Sequence, residues 1–175
     1  MIVLDRDYTS EQIDDILARR AEVLARPFSE PTPSDLLQLL VFQLGGERYG
    51  VDMRQVLEIY AMQPMTAVPR TPDFVMGIFS ARGRYLSIVS LPILLGNPGG
   101  DILPHSQIIV VNVNDLEIAF LADAIEGIRP LYEHELQPSL STAFVRGIAP
   151  GPAAVLDLNL VFERGRVVVE EEIGD

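Results

Sequence analysis

His105 and His134 are the only imidazoles in the chain, so any acid–base chemistry run by histidine must use one of them. His134 stands between Glu133 and Glu135, which makes a small β-barrel ligand binder, or a hydrolase using His134 with its flanking acids, one function to weigh. His105 sits in a proline-rich stretch, and neither histidine has a second at helical or hairpin spacing, so a metal would need chelation across the fold. All 13 basic residues are arginine; lysine, cysteine and tryptophan are absent. That excludes a Schiff-base lysine, a phosphate-loop lysine, a cysteine nucleophile, a disulfide framework and a thiolate zinc site. No Gly-x-Ser-x-Gly elbow or Gly-x-Gly-x-x-Gly turn occurs. Asp123 and Asp157 each follow an apolar strand, where a carboxylate by default caps a helix or bonds a turn. The residues therefore point to no catalytic, cofactor-binding or metal-binding set.

The 175 residues are 48% hydrophobic and 22% charged, which suits one compact domain or two small fused subdomains. A net charge of −12 argues against nucleic acid and anionic lipid as partners. Residues 1–35 hold 8 acids against 4 arginines, and residues 163–175 hold 5 against 2, so both ends read as solvated arms around a more apolar body. The first residues lack the basic flank and long apolar core of a secretory signal, and no window approaches 18 uninterrupted apolar residues. A soluble, cytoplasmic protein without membrane insertion is expected.

The elements that must position any site come next. Ile13, Ile16, Leu17, Ala21 and Leu24, with Ser10 as N-cap and Pro27 beyond the last turn, predict an amphipathic helix over 10–26, followed by a linker from Pro27 to Pro33. From Leu36 the pattern changes to strand, glycine turn at Gly45-Gly46 and strand, and the same plan returns 69 residues later around Asn114-Asp115. The copies align Val41 with Val110, Tyr49 with Ile118, Val51 with Phe120, Val56 with Ile125 and Ile59 with Ile128; Gly77-Ile78 meets Gly147-Ile148 at an offset of 70. Five strands per copy are enough to close a small barrel. The expected layout is an N-terminal arm over 1–35, a first barrel over 36–98, a second over 99–162 and an acidic tail over 163–175. The Pro/Gly stretch from Gly96 to Pro104 is the expected seam between the barrels.

Between Val68 and Leu91, Arg82-Gly83 falls at the tip between two apolar strands, where glycine can take positive φ and arginine can project outward. Phe42-Gln-Leu-Gly45, Tyr49-Gly-Val51, Val56-Leu-Glu-Ile59, Val68-Pro69, Gly77-Ile78, Arg82-Gly83 and Leu91 follow in order, and Leu121-Ala-Asp123, Ile125-Glu-Gly-Ile128, Gly147-Ile148 and Val155-Leu-Asp-Leu158 continue the set. Over residues 36–162 the chain resembles the CheW-like domain, the adaptor module of bacterial chemosensory arrays. The resemblance implies a mainly β fold of two fused five-stranded SH3-like barrels. It also implies a non-enzymatic scaffold, without cofactor, that couples the cytoplasmic tip of a methyl-accepting chemoreceptor to the regulatory domain of a histidine kinase. Matched to the family pattern, Val56, Glu58, Arg82 and Gly83 become the candidate protein-binding residues. Ser80-Ala-Arg-Gly83 stands where the pattern has Asn-Leu-Arg-Gly, and Ser87 and Ser90 replace a proline and an aspartate. The lost asparagine and aspartate are groups able to brace the arginine loop. These departures suit a divergent, non-flagellar array; the alternative within the binding class is an adaptor docking another signalling protein.

Overall fold

A computed structural model describes residues 35–140 and 143–164. The helix expected over 10–26 and the linker after it lie outside the described residues, as does the acidic tail beyond 164. Among the described residues ten strands form: β1 (Leu36–Leu44), β2 (Glu47–Asp52), β3 (Val56–Ala61), β4 (Val75–Ala81), β5 (Arg84–Val89), β6 (Gln107–Val113), β7 (Leu116–Ala122), β8 (Ala124–Tyr132), β9 (Val145–Ala149) and β10 (Ala153–Leu156). A four-residue helix α1 (Leu91–Leu94) follows β5, and a second helix, α2 (158–164), follows β10. Residues 163–164, expected in the tail, therefore belong to α2. Among the described residues no helix is long and apolar enough to cross a membrane.

The hairpins form where the turn chemistry directs them. Gly45-Gly46, Arg82-Gly83 and Asn114-Asp115 all take positive φ at both positions, the two-residue turn whose twist matches that of antiparallel strands. The strands then gather into two five-stranded sheets, as expected, with the orders β8-β1-β2-β10-β9 and β3-β6-β7-β5-β4.

The sheets do not follow the halves of the chain, which corrects the boundary drawn at 98/99. Each repeat gives its first hairpin to one sheet and its last three strands to the other. As a result β3 to β7 form one sheet from a continuous run, nested between β2 and β8 of the other. The chain crosses between sheets at the 3₁₀ turn Met53–Gln55 and again at Asp123. The Pro/Gly stretch from Gly96 to Pro104 joins α1 to β6 within the nested sheet and is no seam. The repeat misleads because a strand's own pattern is the same whichever copy supplies its neighbour.

Each sheet closes on itself at one backbone bridge. Thr66 and Ile78 exchange N–H···O=C bonds of 2.8 and 2.9 Å, and Gln137 and Ile148 exchange bonds of 3.0 and 2.8 Å. These bridges account for the repeated Gly-Ile pair. A Cβ on Gly77 would lie 2.6 Å from the Thr66 carbonyl oxygen, and one on Gly147 2.8 Å from that of Gln137. Only glycine lets the closing segment pass.

Three apolar cores result. Phe79, Leu86, Ile88, Ile108, Val110 and Leu121 fill the nested barrel, and Leu39, Val41, Leu131 and Val155 fill the other. Between them a larger cluster takes Leu40 and Phe42 from β1, Ile109 and Val111 from β6, Phe120 from β7 and Val161 and Phe162 from α2. Strands β1, β6 and β7 therefore bury both faces, which is why they read as near-continuous apolar runs.

Candidate partner-binding site

Strand β3 lies at one end of the nested sheet's order and β4 at the other, and Glu58 of β3 faces the tip of the β4–β5 hairpin. At that tip Arg82 has φ 48° and Gly83 φ 77°, the pair of left-handed residues a two-residue turn demands. The turn throws the Arg82 side chain outward, 75% exposed, with Nη1 3.2 Å from Oε1 of the more sheltered Glu58. Arg84 reaches the other carboxylate oxygen at 3.8 Å and also pairs with Glu117 on β7. Tyr60, on the same face of β3, donates its hydroxyl to Glu58, and that bond, with some burial, pushes the phenol above its usual pKa. Its ring meets Phe79 edge-on at 5.8 Å. Side chains thus continue the seam between β3 and β4 that the Thr66–Ile78 bridge begins.

Of the four expected residues, Glu58, Arg82 and Gly83 meet at this corner. Val56 does not join them: it is half-buried against the core between the barrels, opposite Val111. A bulge at Leu57 separates it from Glu58. The sequence reading missed Tyr60, Arg84 and Glu117. Tyr60 was recoverable, since residues two apart on a strand share a face; Arg84 and Glu117 needed the β5–β7 pairing.

The nested barrel's partner carries its own charged cluster. Arg48 binds Glu126 through Nε at 2.8 Å and through Nη2, and Gln43 adds a bond of 3.0 Å. Arg48 also donates to the Gly151 carbonyl in the β9–β10 turn. Hydrogen bonds from Arg48, then Gln43, hold the Glu126 carboxyl down at about 2. Here the arginine is spent on groups of its own barrel, whereas Arg82 is left largely exposed.

The remaining expectations fall into place locally. Asp123 accepts the Gly45 N–H at 2.8 Å, bonding a turn, and Asp157 accepts from the N–H groups of Asn159 and Leu160, capping α2. His134 is exposed and stacks on Tyr132, while Glu133 pairs with Arg146 at 3.3 Å and Glu135 accepts the Tyr132 N–H. His105 is exposed in the 97–106 loop.

The model of the CheW-like domain matches residues 38–166. The chain belongs to the CheW-like family. It is 31% identical over 121 residues to a chemotaxis protein CheW of Helicobacter pylori, covering 69% of this chain and 73% of that one. It is 29% identical to the protein FrzA of Myxococcus xanthus, over 58% of this chain and 63% of the relative. The crystal structure of the scaffolding protein TtCheW from Thermoanaerobacter tengcongensis superposes with a TM-score of 0.66 at 29% identity, over 73% of this chain and 92% of that one. These relatives mark a chemotaxis coupling adaptor of the scaffold type.

In this CheW-like chain the serine at 90 has no part in bracing Arg82. It lies beyond the far end of β5, some six residues or about 20 Å along the strand from the hairpin tip. There it is the N-cap residue of α1, the place Asp157 takes before α2.

Proposed function

We propose that this protein is a non-enzymatic, cytoplasmic adaptor that couples the tips of methyl-accepting chemoreceptors to the regulatory domain of a histidine kinase, with the Glu58–Arg82–Gly83 corner as a contact surface and Val56 bordering it. The observation that carries this reading is the outward guanidinium of Arg82, aimed by a left-handed turn and steadied by Glu58 on the neighbouring strand. A guanidinium held in one place offers a planar fork to a partner carboxylate or carbonyl and gives up little further freedom on binding. The carboxylates beside His134 are already engaged, which supports a binding role over hydrolysis.

Reconstitution tests it. With receptor-bearing membranes and the cognate kinase, the wild-type protein should change kinase autophosphorylation, and Arg82→Glu should weaken that change at least tenfold at equal protein concentration. Undiminished coupling by Arg82→Glu would remove the role given to this corner.

A further inference from the structure

A cavity of about 460 Å³ opens at the opposite end of β5 from Arg82, between the β1–β2 turn, α1 and the 97–106 loop. Its size falls within the roughly 300–1,000 Å³ typical of sites that take a ligand. Leu44, Met76, Leu91, Ile102, Leu103 and Leu121 make its walls apolar.

Two further observations say what would fill it. First, Ser90 and Ser106 line the cavity, 8% and 2% exposed, and among the described residues neither hydroxyl is seen in a hydrogen bond; since no fully buried side-chain polar atom among these residues lacks a partner, both hydroxyls open onto the cavity. Polar groups on the wall of a largely apolar cavity are the ones that orient whatever occupies it. Second, three carboxylates, Glu47, Asp101 and Asp123, surround the cavity, and none forms an ion pair among the described residues. Glu47 accepts the Tyr49 hydroxyl and Asp123 the Gly45 N–H, each leaving acceptor capacity free.

The internal repeat supplies a control. Met76, Leu121, Asp123 and Ser90 correspond to Arg146, Asp52, Arg54 and Asp157, which line a separate groove on the other side of the repeat. In that groove the carboxylates and arginines are equal in number and engaged within the chain: Asp52 pairs with Arg54 at 2.6 Å, Arg146 with Glu133 at 3.3 Å, and Asp157 caps α2. Equivalent positions thus carry a self-satisfied polar groove in one place and an apolar cavity with unbalanced negative charge in the other.

We propose that this cavity is a docking site for an arginine-bearing apolar segment of a partner protein, separate from the Glu58–Arg82 corner and independent of the adaptor reading. Apolar side chains of the segment cover the Leu and Met walls. The guanidinium, with five donors and no acceptor, matches a set of groups that offers carboxylate and hydroxyl oxygens. A compact ammonium would reach fewer of these acceptors at once.

The full-length protein is titrated with three dye-labelled 12-residue peptides that alternate leucine with arginine, glutamine or glutamate, following fluorescence anisotropy, and bound positions are read from methyl NMR shifts. The arginine peptide should bind, with shifts at Met76 and Ile102, and the other two at least tenfold more weakly. Glu47→Gln with Asp101→Asn should weaken the arginine peptide about tenfold, the range of a lost charge-assisted hydrogen bond. Ser90→Ala with Ser106→Ala breaks no hydrogen bond seen here and should lower affinity severalfold without moving the melting temperature. Arg82→Glu should leave affinity unchanged. Absence of binding, equal binding of the arginine and glutamine peptides, shifts confined to the Arg54–Arg146 groove, full affinity in both double variants, or loss of affinity in Arg82→Glu would each overturn the proposal.

Discussion

Arg82 and Glu58 stand 24 positions apart in sequence and 3.2 Å apart in space, joining the tip of the β4–β5 hairpin to β3 at the opposite end of the same sheet's order. The pair closes a seam whose backbone bonding is confined to one bridge. It also decides which way the guanidinium looks.

A charge swap separates those two roles. Arg82→Glu and Glu58→Arg should each lower stability by about 0.2–1 kcal/mol, the scale of a solvent-exposed pair. The double swap should recover most of that loss in urea denaturation. It should not recover coupling to a kinase, because a carboxylate would then face the partner where a guanidinium stood. Recovery of both would mean that the corner acts through stability alone.

Barrel closure depends on the two Gly-Ile glycines. Gly77→Ala and Gly147→Ala place a methyl within 2.6 and 2.8 Å of a backbone oxygen, so each should cost about 1–3 kcal/mol as the closing segment is pushed away. Hydrogen exchange should rise at the Thr66–Ile78 bridge in the first variant and at the Gln137–Ile148 bridge in the second. Unchanged melting in either would contradict the role assigned to that bridge.

Acid should loosen the outer barrel through Glu126. Its carboxyl is held at about 2 when folded, against about 4.3 for a free glutamate, so its contribution is complete above the free value and lost as pH falls toward 2. Asp52 works in the same direction: burial alone would raise its pKa, but hydrogen bonds from the Arg54 side chain and backbone outweigh it and leave it lowered. The gap in urea midpoint between wild type and Glu126→Gln should therefore narrow steadily from pH 5 to 2.5. A constant gap would show that the Arg48–Glu126 pair contributes nothing that titrates.

The shared core should make the barrels unfold together. Phe120 is fully buried with its ring 5.5 Å from that of Phe42, so Phe120→Ala should cost about 3–5 kcal/mol. Because β7 and β1 belong to different sheets, amide protection should fall in both barrels by the same amount. Loss confined to one would mean that the central cluster does not couple them.

Much of this fold could be read from the residues. The turn dipeptides placed three hairpins, the 69-residue echo paired strands correctly between copies, and Gly83 took the positive φ open to glycine while Arg82 projects outward. The exchange between repeats could not be read, because Leu40 and Ile109 present the same apolar alternation whichever copy lies beside them. Glu58 and Arg82 were each singled out, yet their contact depends on how β3 and β4 close the barrel, and neither residue's neighbours encode that. Asp157, expected to cap a helix or bond a turn after an apolar strand, caps α2.

The exchange of strands has a hereditary consequence. One copy of the repeat encodes two strands of one barrel and three of the other, so a single copy describes no closed body at all. Deleting either copy would leave two open fragments and no surviving barrel, and two separate single-copy chains could rebuild the molecule only by clasping one another. The smallest unit of this architecture that a genome can pass on is the pair.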